Sequence, residues 1–146
     1  MNTLTANCRE EAAGAKANRS GKTAEDTIYC LFKERGYTVQ RQMRIKPNIY
    51  GHRQHVDFFI KGIAWLPDGL IIESKWQNSR GSTDEKFPYL VLNLKSTYPC
   101  PTIIMADGGG AKEGALDWLR EQVDGEKLIG VFNFTELLTW IVNNQL

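Results

Sequence analysis

Leu70-Ile71-Ile72-Glu73-Ser74-Lys75-Trp76-Gln77 is an apolar strand that turns polar at every second residue, and its reading decides the fold. Side chains alternate along a strand, so Glu73, Lys75 and Gln77 point to one face. A rise of roughly 3.3 Å per residue sets neighbours on that face about 6.6 Å apart. A carboxylate and an ammonium at that separation can share one water. Burying Glu73 and Lys75 directly after three aliphatic residues is costly without a partner or a metal. Their position therefore calls for a chemical reason.

Upstream, His55-Val56-Asp57-Phe58-Phe59-Ile60 sets a second carboxylate at the head of another apolar strand. A hairpin centred near Trp65 brings Asp57 opposite Glu73. A tight turn at Pro67-Asp68-Gly69 shifts the pairing instead, and the carboxylates then meet only if Gly62 breaks or bulges the ladder. The site requires the first register or the bulge. Two facing carboxylates form a hard, all-oxygen site suited to Mg²⁺, with Mn²⁺ as a substitute. A cation there lowers the pKa of a bound water and neutralises charge growing on a phosphate, while Lys75 orients or deprotonates the water. These are the parts that phosphodiester hydrolysis needs.

The surrounding sequence supplies a frame. Thr23–Arg35 reads as a helix stopped by Gly36, Tyr37–Ile45 as a partly exposed strand, and Pro47-Asn48 as its break. After the strands His55–Ile60 and Leu70–Trp76, Thr83–Leu94 reads as a helix interrupted by Pro88. Thr102–Ala106 is a continuously apolar strand expected inside a sheet. Ala111–Gln122 is a helix, Lys127–Phe132 a strand and Thr135–Val142 a closing helix. Three early strands suit an antiparallel meander and the later β–α–β units a parallel extension. The expected fold class is α/β in three layers, a central mixed sheet flanked by helices. Residues 1–20 read as a polar tail, with helical turns around Cys8–Ala17, and 21–146 as a single domain.

Composition bounds the function. The chain has 146 residues, 42% apolar and 24% charged, which suits one ordinary globular domain. A formal charge of +1 argues against coating nucleic acid by bulk electrostatics and leaves room for a local basic patch. Cys8, Cys30 and Cys100 form no CxxC pair, so free thiols in a reducing compartment are expected. No apolar run reaches the roughly 20 residues of a membrane span. No secretory signal is visible, and a cytoplasmic location is expected.

Asp57, followed after a hydrophobic strand by Glu73-Ser74-Lys75, resembles the D…ExK signature of the PD-(D/E)xK nuclease superfamily, which includes restriction endonucleases and junction resolvases. The order of elements over Thr23–Ala106 is similar to the core of that superfamily. Lys75-Trp76-Gln77 with Gly81-Ser82-Thr83-Asp84-Glu85-Lys86, and Asp107-Gly108-Gly109-Gly110 before a helix, resemble stretches of restriction-like branches. Val56 departs from the proline of the motif's name, at a position that is loose in the superfamily. The resemblance implies a restriction endonuclease-like fold and a Mg²⁺-dependent DNA endonuclease acting as a homodimer. In that reading Asp57, Glu73 and Ser74 hold the metal, Lys75 assists the nucleophile, and Gln77 and Glu25 support them. A Holliday-junction or other structure-selective resolvase uses the same site, and a non-catalytic DNA-binding module on this fold is the reading from another class.

Each further residue has a plainer role beside the chemical one. Glu25 also suits a solvated helix residue, and Gln77 a polar strand end. His52 and His55, three apart on a strand, point to opposite faces and do not suit zinc, whereas His55 shares the Asp57 face. Gly108–Gly110 reads as a turn with positive φ before a phosphate cradle. Arg41, Arg44, Lys46, Arg53, Arg80 and Lys86 flank the site as a solvated face or as phosphate contacts that position DNA.

Overall fold

The computed structural model describes residues 21–77 and 83–146. The expected tail over 1–20, Arg80 and the Gly81-Ser82 part of the resemblance lie outside the described residues. Chain order gives α1 (Gly21–Glu34), β1 (Thr38–Ile45), β2 (Gln54–Lys61), β3 (Leu70–Trp76), α2 (Thr83–Thr97), β4 (Thr102–Asp107), α3 (Glu113–Glu121), β5 (Leu128–Phe132) and α4 (Phe134–Asn143). The strands form one sheet in the order β1-β2-β3-β4-β5. β1, β2 and β3 are antiparallel neighbours, while β4 and β5 extend the sheet in parallel. The meander followed by β–α–β crossovers matches the sequence expectation, as does the interior position of apolar β4.

Two cores, one per face of the sheet, make the three layers. On one face Ala24, Ile28 and Phe32 of α1 and Leu137 and Ile141 of α4 pack on Phe58, Ile60, Ile72 and Met105. On the other, Phe87, Leu90, Val91 and Leu94 of α2 and Leu119 of α3 pack on Phe59, Ile71 and Ile104. Burying one such side chain contributes about 1.5–3 kcal/mol, so each helix is held by its apolar stripe. α4 adds a capping box, in which the Asn133 side chain accepts from Glu136 N–H and the Glu136 carboxylate accepts from Asn133 N–H.

Two expectations are corrected. α2 runs unbroken through Pro88 to Thr97, three residues past the expected end. Proline at its sixth position removes a single backbone bond near an end where several N–H groups are unpaired anyway, and the buried stripe outweighs that loss. Cys100 is a buried free thiol, pushed up to about 11 by burial. Cys30, however, is disulfide-bonded.

Asp124 holds the entry to β5. Its Oδ1 accepts the N–H groups of Glu126, Lys127 and Leu128 at 2.9, 2.8 and 3.1 Å, and Lys95 Nζ lies 3.3 Å from Oδ2. Slight burial acts to raise its pKa, but these donors outweigh it and hold the carboxyl down to about 2. A depressed folded pKa gives stability that is present above the unfolded value and lost as pH falls through the folded one. Asp124→Ala is expected to lower unfolding stability by about 1–2 kcal/mol at neutral pH, the low end for charged hydrogen bonds because the group is partly exposed. Urea titrations should show the gap to wild type closing between about pH 4 and pH 2.

Candidate active site

The β2–β3 ladder pairs Phe58 with Ile72, Phe59 with Ile71 and Ile60 with Leu70. That register is centred on Trp65 and makes Asp57 and Glu73 the next facing pair. Pro67–Gly69 is only the second half of a longer connection, closed by Leu66 N–H to Ile63 O and Gly69 N–H to Leu66 O, both 3.0 Å. The two strands fork after Phe58 and Ile72. There the Asp57 carboxylate replaces a ladder carbonyl, its Oδ2 accepting Ser74 N–H at 2.8 Å.

The fork has a partner irregularity in β1. Residues pair continuously along β1 and β2 except at Gln42 opposite Asp57, and Gln42 has φ +51°. Alternation inverts at this point. Val39 and Phe58 lie in the α1-side core, whereas Met43, Ile45 and Val56 lie on the α2 side. A non-glycine residue in left-handed conformation inside a strand is strained and persists only when its surroundings enforce it. Gln42 Nε2 donates to Asp57 Oδ1 at 3.1 Å, so both oxygens of Asp57 are held by neutral donors.

Glu73 is 3% exposed, and its Oε1 accepts the hydroxyl of Tyr98 at 2.6 Å. Burial first, and then Asp57, push its carboxyl up to about 8, against the pull of Lys75 and the Tyr98 hydroxyl. Burial and Glu73 in turn push the Tyr98 phenol far above its usual value, keeping it a donor. Glu73 and Lys75 both line a cleft of about 290 Å³ between β3 and α2, with His55, Lys86, Tyr89 and Tyr98 also on its walls. The period-two reading of β3 therefore holds for this pair.

The other candidates divide. Ser74 faces α1, where its buried hydroxyl lies toward Glu25 outside hydrogen-bond geometry. Ser74 can reach the Glu73 side only through its main chain. Glu25 has its carboxyl raised by burial and then by Asp57, and lowered by Ser74 and Arg41. Gln77 is buried, and its Nε2 donates to Gly110 O at 3.3 Å, so it is tied to the glycine loop and is not on the cleft wall. Arg41 is committed to α1, 2.7 Å from Asp26 and 3.6 Å from Glu25, with its guanidinium over the rings of Tyr29 and Phe58. Arg44, Lys46, Arg53 and His55 are exposed along the β1–β2 hairpin and Lys86 is exposed on α2. None of these five is in an ion pair among the described residues.

Gly108 and Gly109 have φ +97° and +77°, which fits a plain turn. Gly108 N–H donates to Asp107 Oδ1 and Gly110 N–H to Gln77 O, both at 2.7 Å, so these two donors are already used. Sequence reading missed Gln42 and Tyr98. Gln42 meets Asp57 only through the β1–β2 register, whose turn lies at Ile49–Tyr50, and no local pattern marks Tyr98, 25 residues from Glu73.

Among the described residues no group of three or more His, Cys, Asp and Glu side chains could by itself hold a metal ion. The facing pair Asp57 and Glu73 nevertheless fits a divalent cation. It is all oxygen, and both the burial and the Asp57 repulsion that raise Glu73 disfavour a bare carboxylate that a cation there would stabilise. Mg²⁺ commonly uses one or two carboxylates and fills its remaining positions with water and substrate oxygens.

A mixed five-stranded sheet between two helical layers, with a carboxylate pair at the fork of its antiparallel hairpin, is a restriction endonuclease-like α/β fold. The chain matches the PD-(D/E)XK nuclease superfamily domain over residues 16–145 and belongs to that superfamily. Comparisons with curated proteins and with solved structures gave no significant match. Membership makes it a nuclease-type phosphodiester hydrolase domain, from a superfamily that acts on nucleic acid and generally uses divalent metals. No helix among the described residues is long and apolar enough to cross a membrane.

Proposed function

We propose that this protein is a Mg²⁺-dependent DNA endonuclease, with Asp57 and Glu73 as metal ligands and Lys75 as the group that assists the nucleophile. The observation that carries the proposal is the register that faces Asp57 with Glu73 at the strand fork, with Lys75 two residues further on the cleft wall. Held by Asp57 and Glu73, Mg²⁺ would supply Lewis-acid activation of water and neutralise charge on the phosphate. The chain's own residues do the positioning. Ser74 N–H and Gln42 fix the Asp57 carboxylate, and Tyr98 fixes one oxygen of Glu73. Lys75 holds or deprotonates the attacking water and offsets charge on the crowded phosphorus. Lys86 and the hairpin cations Arg44, Lys46 and Arg53 contact phosphates and set the strand in place without reading bases. Glu25 supports Asp57 from α1, Gln77 supports the end of β3, and Ser74 contributes its main chain. A homodimer, in which two such sites cut both strands, completes the proposal.

Incubating the protein with plasmid and four-way-junction DNA, with Mg²⁺ or EDTA and beside Lys75→Ala, tests this reading. Cutting by wild type in Mg²⁺ alone supports it, and intact DNA with both Mg²⁺ and Mn²⁺ rejects it. The Tyr98 contact gives a finer check. Tyr98→Phe keeps the ring and removes the hydroxyl, and is expected to cost about 10–100-fold in metal affinity. A Mn²⁺ titration of cleavage with a half-point matching wild type would refute that role.

A further inference from the structure

The tip of the β1–β2 hairpin is unusually well fixed for a surface turn. Asn48 Oδ1 accepts Tyr50 N–H and His52 N–H at 2.9 and 3.0 Å, and Asn48 N–H donates to His52 O at 2.8 Å. The turn is also fastened to α2. Ile49 N–H donates to Asn93 Oδ1 at 3.1 Å, Asn93 Nδ2 to Gln54 Oε1 at 2.8 Å, and Gln54 Nε2 to Thr97 Oγ1 at 2.9 Å. Asn93 and Gln54 thereby bond each other as well as the turn and α2. What the turn presents is Tyr50, 69% exposed yet stacked on Tyr89 with centroids 5.6 Å apart and planes 4° from parallel. Tyr89 lines the same cleft as Glu73 and Lys75.

We propose that Tyr50, backed by Tyr89, is a stacking platform for an unpaired base, and that the substrate is DNA with a single-stranded or splayed segment next to the cut. The inference rests on the nuclease reading for what is cut, and on the hairpin alone for what is bound. A rigid aromatic ring beside free cations suits a nucleic acid strand, because every base has a face to stack and every linkage a negative charge. Inside a continuous duplex those faces are covered by neighbouring base pairs, so the platform gains only from a base that has left the stack. Arg44, Lys46 and Arg53 on the same hairpin are exposed and supply the charge that an apolar protein partner would not need.

Binding is measured in EDTA, so no cleavage intervenes. The full chain is titrated into labelled duplex and into a forked duplex of the same sequence carrying 2-aminopurine at the fork. Wild type is expected to prefer the fork by about tenfold, the scale of one base–aromatic stack, and to quench the 2-aminopurine. Tyr50→Ala should bring fork affinity down to the duplex level without changing duplex affinity, and Tyr50→Phe should keep the preference. Tyr50→Leu repeats the test with an apolar side chain retained, in case the alanine variant is less stable. Equal binding of fork and duplex by wild type, or a preference that survives Tyr50→Ala and Tyr50→Leu, overturns the platform. Mg²⁺-dependent plasmid cleavage is read separately, so its absence counts against the nuclease reading alone.

Discussion

Asp57→Asn is expected to reduce Mg²⁺-dependent cleavage by about 10³-fold while DNA affinity in EDTA is unchanged or improved. The shape of the side chain is kept, so Ser74 N–H retains its acceptor at the fork, and exposed Gln42 can turn its amide to accept from the new Nδ2. What disappears is one of two charges on a facing pair whose mutual repulsion contributes to raising Glu73 to about 8. Removing it also lowers repulsion toward a phosphate, hence the tighter binding. The combination is diagnostic: a non-catalytic DNA-binding domain would show no metal-dependent rate to lose. Single-turnover cleavage beside an affinity titration measures both halves, and equal rates for wild type and Asp57→Asn would remove Asp57 from the site.

The second large effect concerns the backbone. A Cβ at Gly108 would lie 2.4 Å from Gln77 O and 2.6 Å from Gln77 C, at a φ of +97° that side chains rarely adopt. Neither obstacle yields easily, because Gln77 O is bonded to Gly110 N–H and Gln77 N–H to Asp107 O. Gly108→Ala is therefore expected to cost about 3 kcal/mol or more. For a chain of this size that is a fall in melting temperature of about 6–12 °C. The shift of Gln77 also disturbs the strand end that carries Lys75, so activity should fall further than stability at temperatures where the variant is folded. Calorimetry showing a melting temperature within a degree of wild type would contradict the close approach.

These two residues show where sequence is informative. Lys75 and Glu73 were legible because a strand's period is short and its apolar start leaves no doubt which side chains are out of place. Asp57 was legible once Trp65 was taken as the centre of the hairpin, a choice the turn signal at Pro67–Gly69 argued against. Turn propensity is local, whereas the register is set by burying Phe58 and Ile60 on one core and Phe59 on the other. The same dominance of burial carries α2 through Pro88. Tyr98 and Gln42 could not be read because each acts on a partner brought near only by the folded sheet. Arg41 looked like its cationic neighbours in β1, and only the packing of α1 against that strand separates it from them. Gln77 was read by period as a same-face neighbour, but β3 ends at Trp76 and its side chain is held by the glycine loop, off the cleft wall.

The left-handed residue in β1 has one more consequence, for how molecules of this protein meet. β1 is an edge of the sheet and eight residues long. A straight edge of that length exposes a row of amide and carbonyl groups that a strand from another molecule can extend. Gln42 divides the row into four residues before it and three after, and the faces of the two pieces are inverted relative to each other. β2 keeps a single register with both pieces because its own alternation inverts at Asp57, and an incoming strand without that inversion matches the faces of one piece only. The distortion beside Asp57 thus also makes this border a poor template for a straight, evenly alternating strand.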